Sequence, residues 1–171
     1  VLAVCEIPEH SLKGDDLTGK LSLVLDDIRD PGNLGTIRRI ADWFGIEHVI
    51  CSRETVDLYN PKVVQATMGS IARVKLHYKN LSEFLPTLPP DLVSFGAFME
   101  GEEIYSANLP SSGLLVIGNE GKGISESITG MISRRITIPS FAHLKAEKSE
   151  AESLNAAVAT AIICSEFRRR I

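Results

Sequence analysis

The sequence predicts a doubly wound α/β domain, in which helices cover both faces of a mostly parallel sheet. Apolar, β-rich runs alternate with helical patterns along the whole chain. Several of these runs are continuously apolar, which is typical of strands buried on both faces. No repeat or low-complexity segment interrupts the alternation. With 171 residues, the chain has the length of one such domain.

Six runs carry the strand pattern. They are Leu21–Leu25, His48–Ser52, Arg73–His77, Leu92–Phe98, Leu114–Ile117 and Arg135–Ile138. Between them the spacing predicts helices, and two proline-rich or polar stretches (Leu85–Asp91 and Ser140–Glu152) are predicted loops. The second of these is long for an α/β connection, a property that favours a functional or mobile loop.

Two helices are the clearest. After Asp30 and Pro31, apolar residues recur at three- and four-residue steps, and Gly45 ends the pattern. Asp30 or Asn33 is the expected N-cap of this helix. The last helix, from about Glu152 to Arg169, is apolar nearly all round in its middle, so we expect it to be buried on more than one side.

Composition limits the classes of function. Hydrophobic residues make up 44% and charged residues 23% of the chain, as in an ordinary globular protein. No apolar run approaches the ~18 residues of a membrane helix. A net charge of −4 excludes a general cationic attraction to nucleic acid and leaves only local basic groups, at Arg38–Arg39, Arg134–Arg135 and Arg168–Arg170.

Cysteines and histidines indicate a reduced, zinc-free protein. The three cysteines (Cys5, Cys51 and Cys164) have no CxxC spacing, which favours free thiols in a cytoplasm, and Cys164 lies in an apolar stretch as expected for buried filler. The four histidines show neither HxxxH nor HExxH spacing, so we expect no zinc site.

The loop after Leu21–Leu25 has the sequence DDIRDPGNLG (residues 26–35). Its aspartate spacing is similar to the magnesium clamps of prenyl-diphosphate enzymes, but those carboxylates lie one turn apart on a helix. Here they follow a strand and run into Pro31, so we expect no metal. Arg38 and Arg39 fall early in the next helix, where the helix dipole disfavours cations, and this indicates a nearby anion.

Two further loops leave predicted strands at what should be the same edge of the sheet. GNEGKGIS (residues 118–125) contains three glycines but fits neither a Walker A loop nor GxGxxG, so a tight turn and a ligand cradle are equally compatible with it. The third loop ends in Ser153-Leu154-Asn155. Ser153 is a plausible N-cap, and Asn155 is expected to be a buried amide that needs partners.

In their order, three segments resemble the motifs of the SpoU/TrmH family of RNA ribose 2′-O-methyltransferases. They are LVLDDIRDPGNLGTIRRIADWFG, LLVIGNEGKGIS, and ITIP followed by ESLNAAVATAI, which extend over about Leu21 to Ile163. The resemblance implies a SPOUT fold with a C-terminal trefoil knot, an exception to the rule that chains are unknotted. It also implies S-adenosylmethionine bound by the knotted loops, an RNA substrate and a homodimer.

The resemblance assigns site residues by position. The catalytic set is Asn33, Arg39, Glu120, Ser153 and Asn155, and backbone near Gly118, Ile138 and Leu154 holds the cofactor. Accounts of the family name the arginine as a base. Because a guanidinium is effectively always protonated, we expect Arg39 to clamp a phosphate and stabilise the developing alkoxide instead. Arg38 is expected to be a surface or RNA contact.

This sequence departs from the family pattern at two places. The segment between Pro139 and Ser153 is longer and more charged, and we expect it to cover the cofactor, mobile or closing on binding. The abrupt start at Val1 predicts that an N-terminal RNA-binding domain precedes this catalytic domain, which would explain the acidic charge. Ribosomal RNA is the expected substrate and transfer RNA the alternative. The other hypotheses are a non-catalytic, methyltransferase-like domain that binds RNA or a nucleotide, and a dinucleotide-dependent oxidoreductase.

Overall fold

A single six-stranded sheet forms the centre of the computed structural model, which describes residues 6–8, 10–141 and 153–169. The strands are β1 (Leu21–Leu25), β2 (His48–Ser52), β3 (Lys75–Lys79), β4 (Ser94–Glu103), β5 (Gly113–Ile117) and β6 (Arg134–Thr137). Their order is β3-β2-β1-β5-β4-β6, and every neighbouring pair is parallel. The carboxyl ends of all six strands therefore meet at one edge.

Helices cover both faces of this sheet, so the predicted α/β class is confirmed. They are α1 (Pro31–Trp43), α2 (Pro61–Thr67), α3 (Leu81–Phe84), α4 (Glu126–Thr129) and α5 (Ala156–Arg168), with short 3₁₀ helices at Gly14–Leu17, Ser70–Ala72 and Leu85–Thr87. In β1, Leu23 faces a core shared with α1, α2 and α5, whereas Val24 faces a second core shared with α3 and α4. This alternation is the period of two expected of a strand.

The first core is built around α1, whose N-terminus forms as predicted. The Asp30 carboxylate caps α1 by accepting a hydrogen bond from the backbone nitrogen of Asn33 at 2.7 Å, and Pro31 occupies the first turn. Gly35 allows α2 to pack closely, since a Cβ there would lie 2.4 Å from the Cβ of Ala66. Helix α1 is thereby held between α2 and α5.

Several predicted boundaries are corrected by local structure. β1 and β2 match the predicted ranges, but β3 begins at Lys75 because residues 70–72 form a 3₁₀ helix first. β4 continues to Glu103 through an irregularity between Ala97 and Glu102. The predicted loop Leu85–Asp91 starts with a 3₁₀ turn at Leu85–Thr87. α5 begins at Ala156, four residues later than predicted.

Two cysteines lie in these cores as free thiols. Cys51 and Cys164 are fully buried, and burial raises the pKa of Cys164 to about 12. Cys164 therefore fills space in the core, as predicted.

Two predictions concern residues outside the described part of the chain. They are the free thiol of Cys5 and most of the long loop after Pro139 (residues 142–152). Within the described part of the chain, every helix is too short or too polar to span a bilayer.

Candidate active site at the carboxyl edge of the sheet

A cavity of about 750 Å³ opens beside the carboxyl ends of β5 and β6. It is lined by residues 97–100 of β4, residues 117–120, 123 and 124 after β5, residues 135–141 from β6 onward, and residues 153, 154, 156, 159 and 163 around α5. Of the eight predicted site residues, five line it: Gly118, Glu120, Ile138, Ser153 and Leu154. The volume is within the range of about 300–1,000 Å³ common for small-molecule sites.

The loop after β1 fixes the neighbouring loop through its aspartates. The Asp26 carboxylate is buried and accepts a hydrogen bond from the Ser125 backbone nitrogen at 2.8 Å. The Asp27 carbonyl accepts one from the Asn119 side-chain amide at 2.8 Å, and Asp27 itself has a left-handed φ of 56°. The Asp26 side chain and the Asp27 backbone thus hold two loops in register across the strand ends, which is a structural role.

Asn119 organises the loop after β5, and sequence reasoning did not select it. Its Oδ1 accepts hydrogen bonds from the backbone nitrogens of Gly121 and Lys122, at 2.9 and 3.1 Å. Its own backbone pairs with Gly123 in both directions, at 3.0 and 2.9 Å. The signal was present in the sequence, because an asparagine between glycines is typical of a side-chain-supported turn.

The sequence suggested that the glycines of this loop let a ligand approach the backbone closely, but Gly118 is required by the packing of the loop itself. A Cβ at this position would lie 2.2 Å from the backbone of Gly123 and Ile124. The missing side chain thus makes room for the loop's own return strand, and the folded loop then presents backbone to the cavity. The tight turn, one of the two alternatives that the sequence left open, is therefore present, and the turn lines the cavity.

Asn33, Glu120 and Asn155, one from each motif, form a hydrogen-bonded chain. The side-chain nitrogen of Asn33, Nδ2, donates a hydrogen bond to Glu120 Oε1 at 2.8 Å. Its Oδ1 accepts from the amide nitrogen of Asn155 at 2.9 Å. Asn33 is buried, with 8% of its surface exposed, so this network is partly protected from water. Asn33 and Asn155 do not line the cavity themselves; Glu120 connects them to it.

The entry to α5 corrects two predictions. Asn155, not Ser153, is the N-cap: its Oδ1 accepts from the backbone nitrogens of Ala157 and Val158 at 2.9 and 3.3 Å. Asn155 is also an exposed residue and not the buried amide that was expected, although its polar atoms have partners. Ser153 and Leu154 are exposed at the cavity wall.

The paired arginines of α1 have opposite environments. Arg39 is exposed, and its side chain forms no hydrogen bond or ion pair with any described residue. Arg38 is buried, and its guanidinium donates to the carbonyls of Ile71 and Val74, while burial lowers its pKa. The expectation that Arg38 contacts solvent or RNA is wrong, because its side chain ties α1 to the turn before β3. Arg39 remains available to an anion.

This site is typical of an α/β domain that binds a small organic ligand. It lies at the carboxyl edge of a parallel sheet and combines a glycine-containing loop, a backbone-lined cavity and a network of two amides and a carboxylate. The chain belongs to the SpoU rRNA methylase family, whose family profile matches residues 20–165. This assignment agrees with the resemblance of the three motifs and replaces the dinucleotide-oxidoreductase hypothesis.

Individual relatives agree with the family. The 23S rRNA (guanosine(2553)-2′-O)-methyltransferase RlmP of Bacillus subtilis is 31% identical over 98% of this chain and 64% of its own length. A solved TrmH-family protein from Porphyromonas gingivalis is 45% identical, with a TM-score of 0.80, over 89% of this chain and 60% of its own. An AdoMet-bound rRNA methyltransferase from Sinorhizobium meliloti is 31% identical, with a TM-score of 0.78, over 90% of this chain and 57% of its own. The chain therefore spans about three fifths of the length of these relatives.

Proposed function

We propose that this domain transfers a methyl group from S-adenosylmethionine to a ribose 2′-hydroxyl of RNA, with ribosomal RNA as the first substrate class. The observation that carries the proposal is the Asn33–Glu120–Asn155 chain, which joins all three motifs beside one cavity. The names of the B. subtilis and S. meliloti relatives support ribosomal RNA. A structure described as concerning 2-OH methylation of C/U34 on tRNA, 26% identical with a TM-score of 0.75, supports transfer RNA as the alternative.

The cavity fits the proposed cofactor. Backbone near Gly118, Ile138 and Leu154 lines the cavity, and a Cβ at Gly118 would force apart the loop that presents this backbone. We propose that these three positions hold the adenosine part by main-chain hydrogen bonds, as the family resemblance implies. When bound, S-adenosylmethionine supplies a methyl carbon that its sulfonium group already makes electrophilic.

The protein then has to align the reactants and assist loss of one proton. In the transfer, the ribose 2′-oxygen would take the methyl group, sulfur would keep the electron pair of the broken carbon–sulfur bond, and the hydroxyl proton would pass to water. Arg39 clamps the adjacent phosphate through two N–H groups and stabilises the developing negative charge on the oxygen. Asn33 and Asn155 position Glu120, and Ser153 lies at the cavity wall beside the reacting groups.

Binding and turnover test the proposal separately. Isothermal titration calorimetry with S-adenosylmethionine should give one site per chain, and radiolabelled methyl transfer should label undermodified ribosomal RNA more than transfer RNA. Mapping ribose methylation in a strain that lacks the gene then identifies the nucleotide. Cofactor binding without transfer to either RNA would favour the non-catalytic RNA-binding alternative, and no cofactor binding would contradict the proposal.

We also propose that most RNA affinity comes from an additional RNA-binding domain on the N-terminal side of this catalytic domain. Two facts support it: the domain has a net charge of −4, and it spans 57–64% of the relatives described above. The test is the affinity of this domain alone for ribosomal RNA, measured by filter binding. Weak binding is expected, and tight binding by the isolated domain would contradict the proposal.

We also propose that the domain forms a homodimer, contains a trefoil knot and is located in the cytoplasm. Support for a dimer comes from two helices that pack on each other: Trp43 at the end of α1 is 84% exposed, and Val158 of α5 is 48% exposed. Analytical ultracentrifugation should give a dimer that Trp43→Ser weakens. The knot stays a prediction of the family resemblance. The buried free thiols Cys51 and Cys164 support a reducing compartment.

A further inference from the structure

Arg135 is a cation at the cavity wall that forms no ion pair with an acidic residue of the described chain. Among the described residues that line the cavity it is the one cationic side chain. Its guanidinium carbon lies 4.7 Å from the centre of the Phe98 ring, which also lines the cavity, so the side chain is supported from one side by an aromatic face. Its neighbour Arg134 differs, because Arg134 pairs with Glu102 and donates to the Asn108 carbonyl.

Glu100 is an acidic residue of the same cavity lining, one position before a close backbone contact with Arg135. It precedes Gly101, and Gly101 approaches Arg135 so closely that a Cβ there would lie 2.8 Å from the Arg135 carbonyl carbon and oxygen. Glu100 and Arg135 are both exposed and form no ion pair with each other. A third charged residue of the lining, Glu120, already accepts a hydrogen bond from Asn33. Arg135 and Glu100, which carry opposite charges and do not pair with each other, leave a binding position for a group that carries both charges.

We propose that Arg135 binds the carboxylate, and Glu100 the ammonium group, of the amino-acid end of S-adenosylmethionine. This inference rests on the proposed function and adds the residues that distinguish the complete cofactor from its adenosine part. An α-amino acid is a zwitterion at neutral pH, and a guanidinium matches a carboxylate through two parallel N–H groups. The rest of the lining is mostly apolar side chains and backbone, which suits the adenine and ribose.

Ligands that share the adenosine part and carry different charged groups at the amino-acid end test the inference. S-adenosylhomocysteine carries the ammonium and the carboxylate, decarboxylated S-adenosylmethionine carries the ammonium without the carboxylate and keeps its sulfonium, and 5′-methylthioadenosine has neither group and a neutral sulfur. Calorimetry should show that Arg135→Gln weakens S-adenosylhomocysteine binding about two- to fivefold, the upper range for an exposed charged pair, while 5′-methylthioadenosine binding stays unchanged. Glu100→Gln should weaken both ligands that carry the amine, and Arg135→Gln should leave the decarboxylated ligand unaffected.

Arg134→Gln is the matched control, because Arg134 is adjacent in β6 and does not line the cavity. It should leave the affinity of all three ligands unchanged. Equal losses for S-adenosylhomocysteine and 5′-methylthioadenosine in Arg135→Gln would overturn the inference, since they would assign Arg135 to the cavity wall only. No loss for either ligand would overturn it as well. If the unmodified chain binds none of the three ligands, the proposed function itself fails, and the inference fails with it.

Discussion

The side-chain amide of Asn155 donates a hydrogen bond to Oδ1 of Asn33 at 2.9 Å, across 122 positions of sequence. This bond fixes the orientation of the Asn33 amide, whose nitrogen then faces Glu120. Asn155 uses its remaining oxygen to cap α5. One side chain therefore couples the start of the last helix to the geometry of the first motif.

Two substitutions at Asn155 should separate these tasks. Asn155→Ala removes the cap and should lower the free energy of unfolding by about 1 kcal/mol. Asn155→Asp keeps an oxygen that caps α5 but loses the donor to Asn33, so its stability should stay near that of the unmodified chain while kcat falls about five- to tenfold. Urea unfolding and methyl-transfer kinetics measure the two effects. Equal losses of stability in both variants would contradict the division of roles.

Gly118 is the position where an added methyl group should do most damage to the cofactor site. Gly118→Ala places a Cβ against the backbone of Gly123 and Ile124, so we expect a loss of about 2 kcal/mol in stability and weaker S-adenosylmethionine binding. Gly121 in the same loop is the matched control, because the nearest atom to a Cβ there is Asn119 Oδ1 at 3.7 Å, an ordinary contact. Thermal unfolding and calorimetry should find Gly121→Ala close to the unmodified chain.

The order of the strands was beyond sequence reasoning, although their existence was not. Leu21–Leu25 and His48–Ser52 match the predicted ranges because both are buried at every position and mostly apolar. β3 was displaced by two residues because it is an edge strand of mixed exposure, preceded by a turn that burial does not mark. β5 lies beside β1, and only contacts between distant parts of the chain decide that pairing.

In the site, too, local sequence patterns identify the residues, whereas contacts between distant parts of the chain decide their roles. The motif residues could be selected from the sequence, but which of Ser153 and Asn155 caps α5 could not, since both residue types are good caps. The choice depends on Asn33, which holds Asn155 from another motif. Arg38 and Arg39 are likewise indistinguishable by composition, and only the packing of α1 against residues 71–74 buries the first and exposes the second.

Arg39→Lys tests whether the arginine binds the RNA phosphate in a bidentate manner. A lysine keeps the charge but is a point donor that cannot bind a phosphate through two parallel N–H groups. At saturating RNA we expect kcat to fall about tenfold, with S-adenosylmethionine affinity unchanged because Arg39 does not line the cavity. Single-turnover methyl transfer is the measurement. Near-normal turnover of the lysine variant would rule out the bidentate clamp.

A buried histidine pair should make the fold sensitive to mild acid. His48 Nδ1 and His77 Nε2 lie 3.1 Å apart between β2 and β3, and both side chains are almost completely buried. Burial lowers the pKa of both rings, and in His77 the charge of His48 adds to the effect and brings the pKa to about 4. The folded state therefore favours two neutral rings that share one hydrogen bond.

The sign of the pH effect follows from linkage. Below about pH 6.5 the unfolded chain binds protons that the folded pair does not, so stability is retained above that pH and declines as the pH falls toward 4. Between pH 7 and pH 5, His77 alone should lower the free energy of unfolding by about 2 kcal/mol. Urea unfolding at several pH values measures this slope. His77→Asn should flatten it whatever its effect at pH 7, and an unchanged slope in that variant would assign the acid sensitivity to other groups.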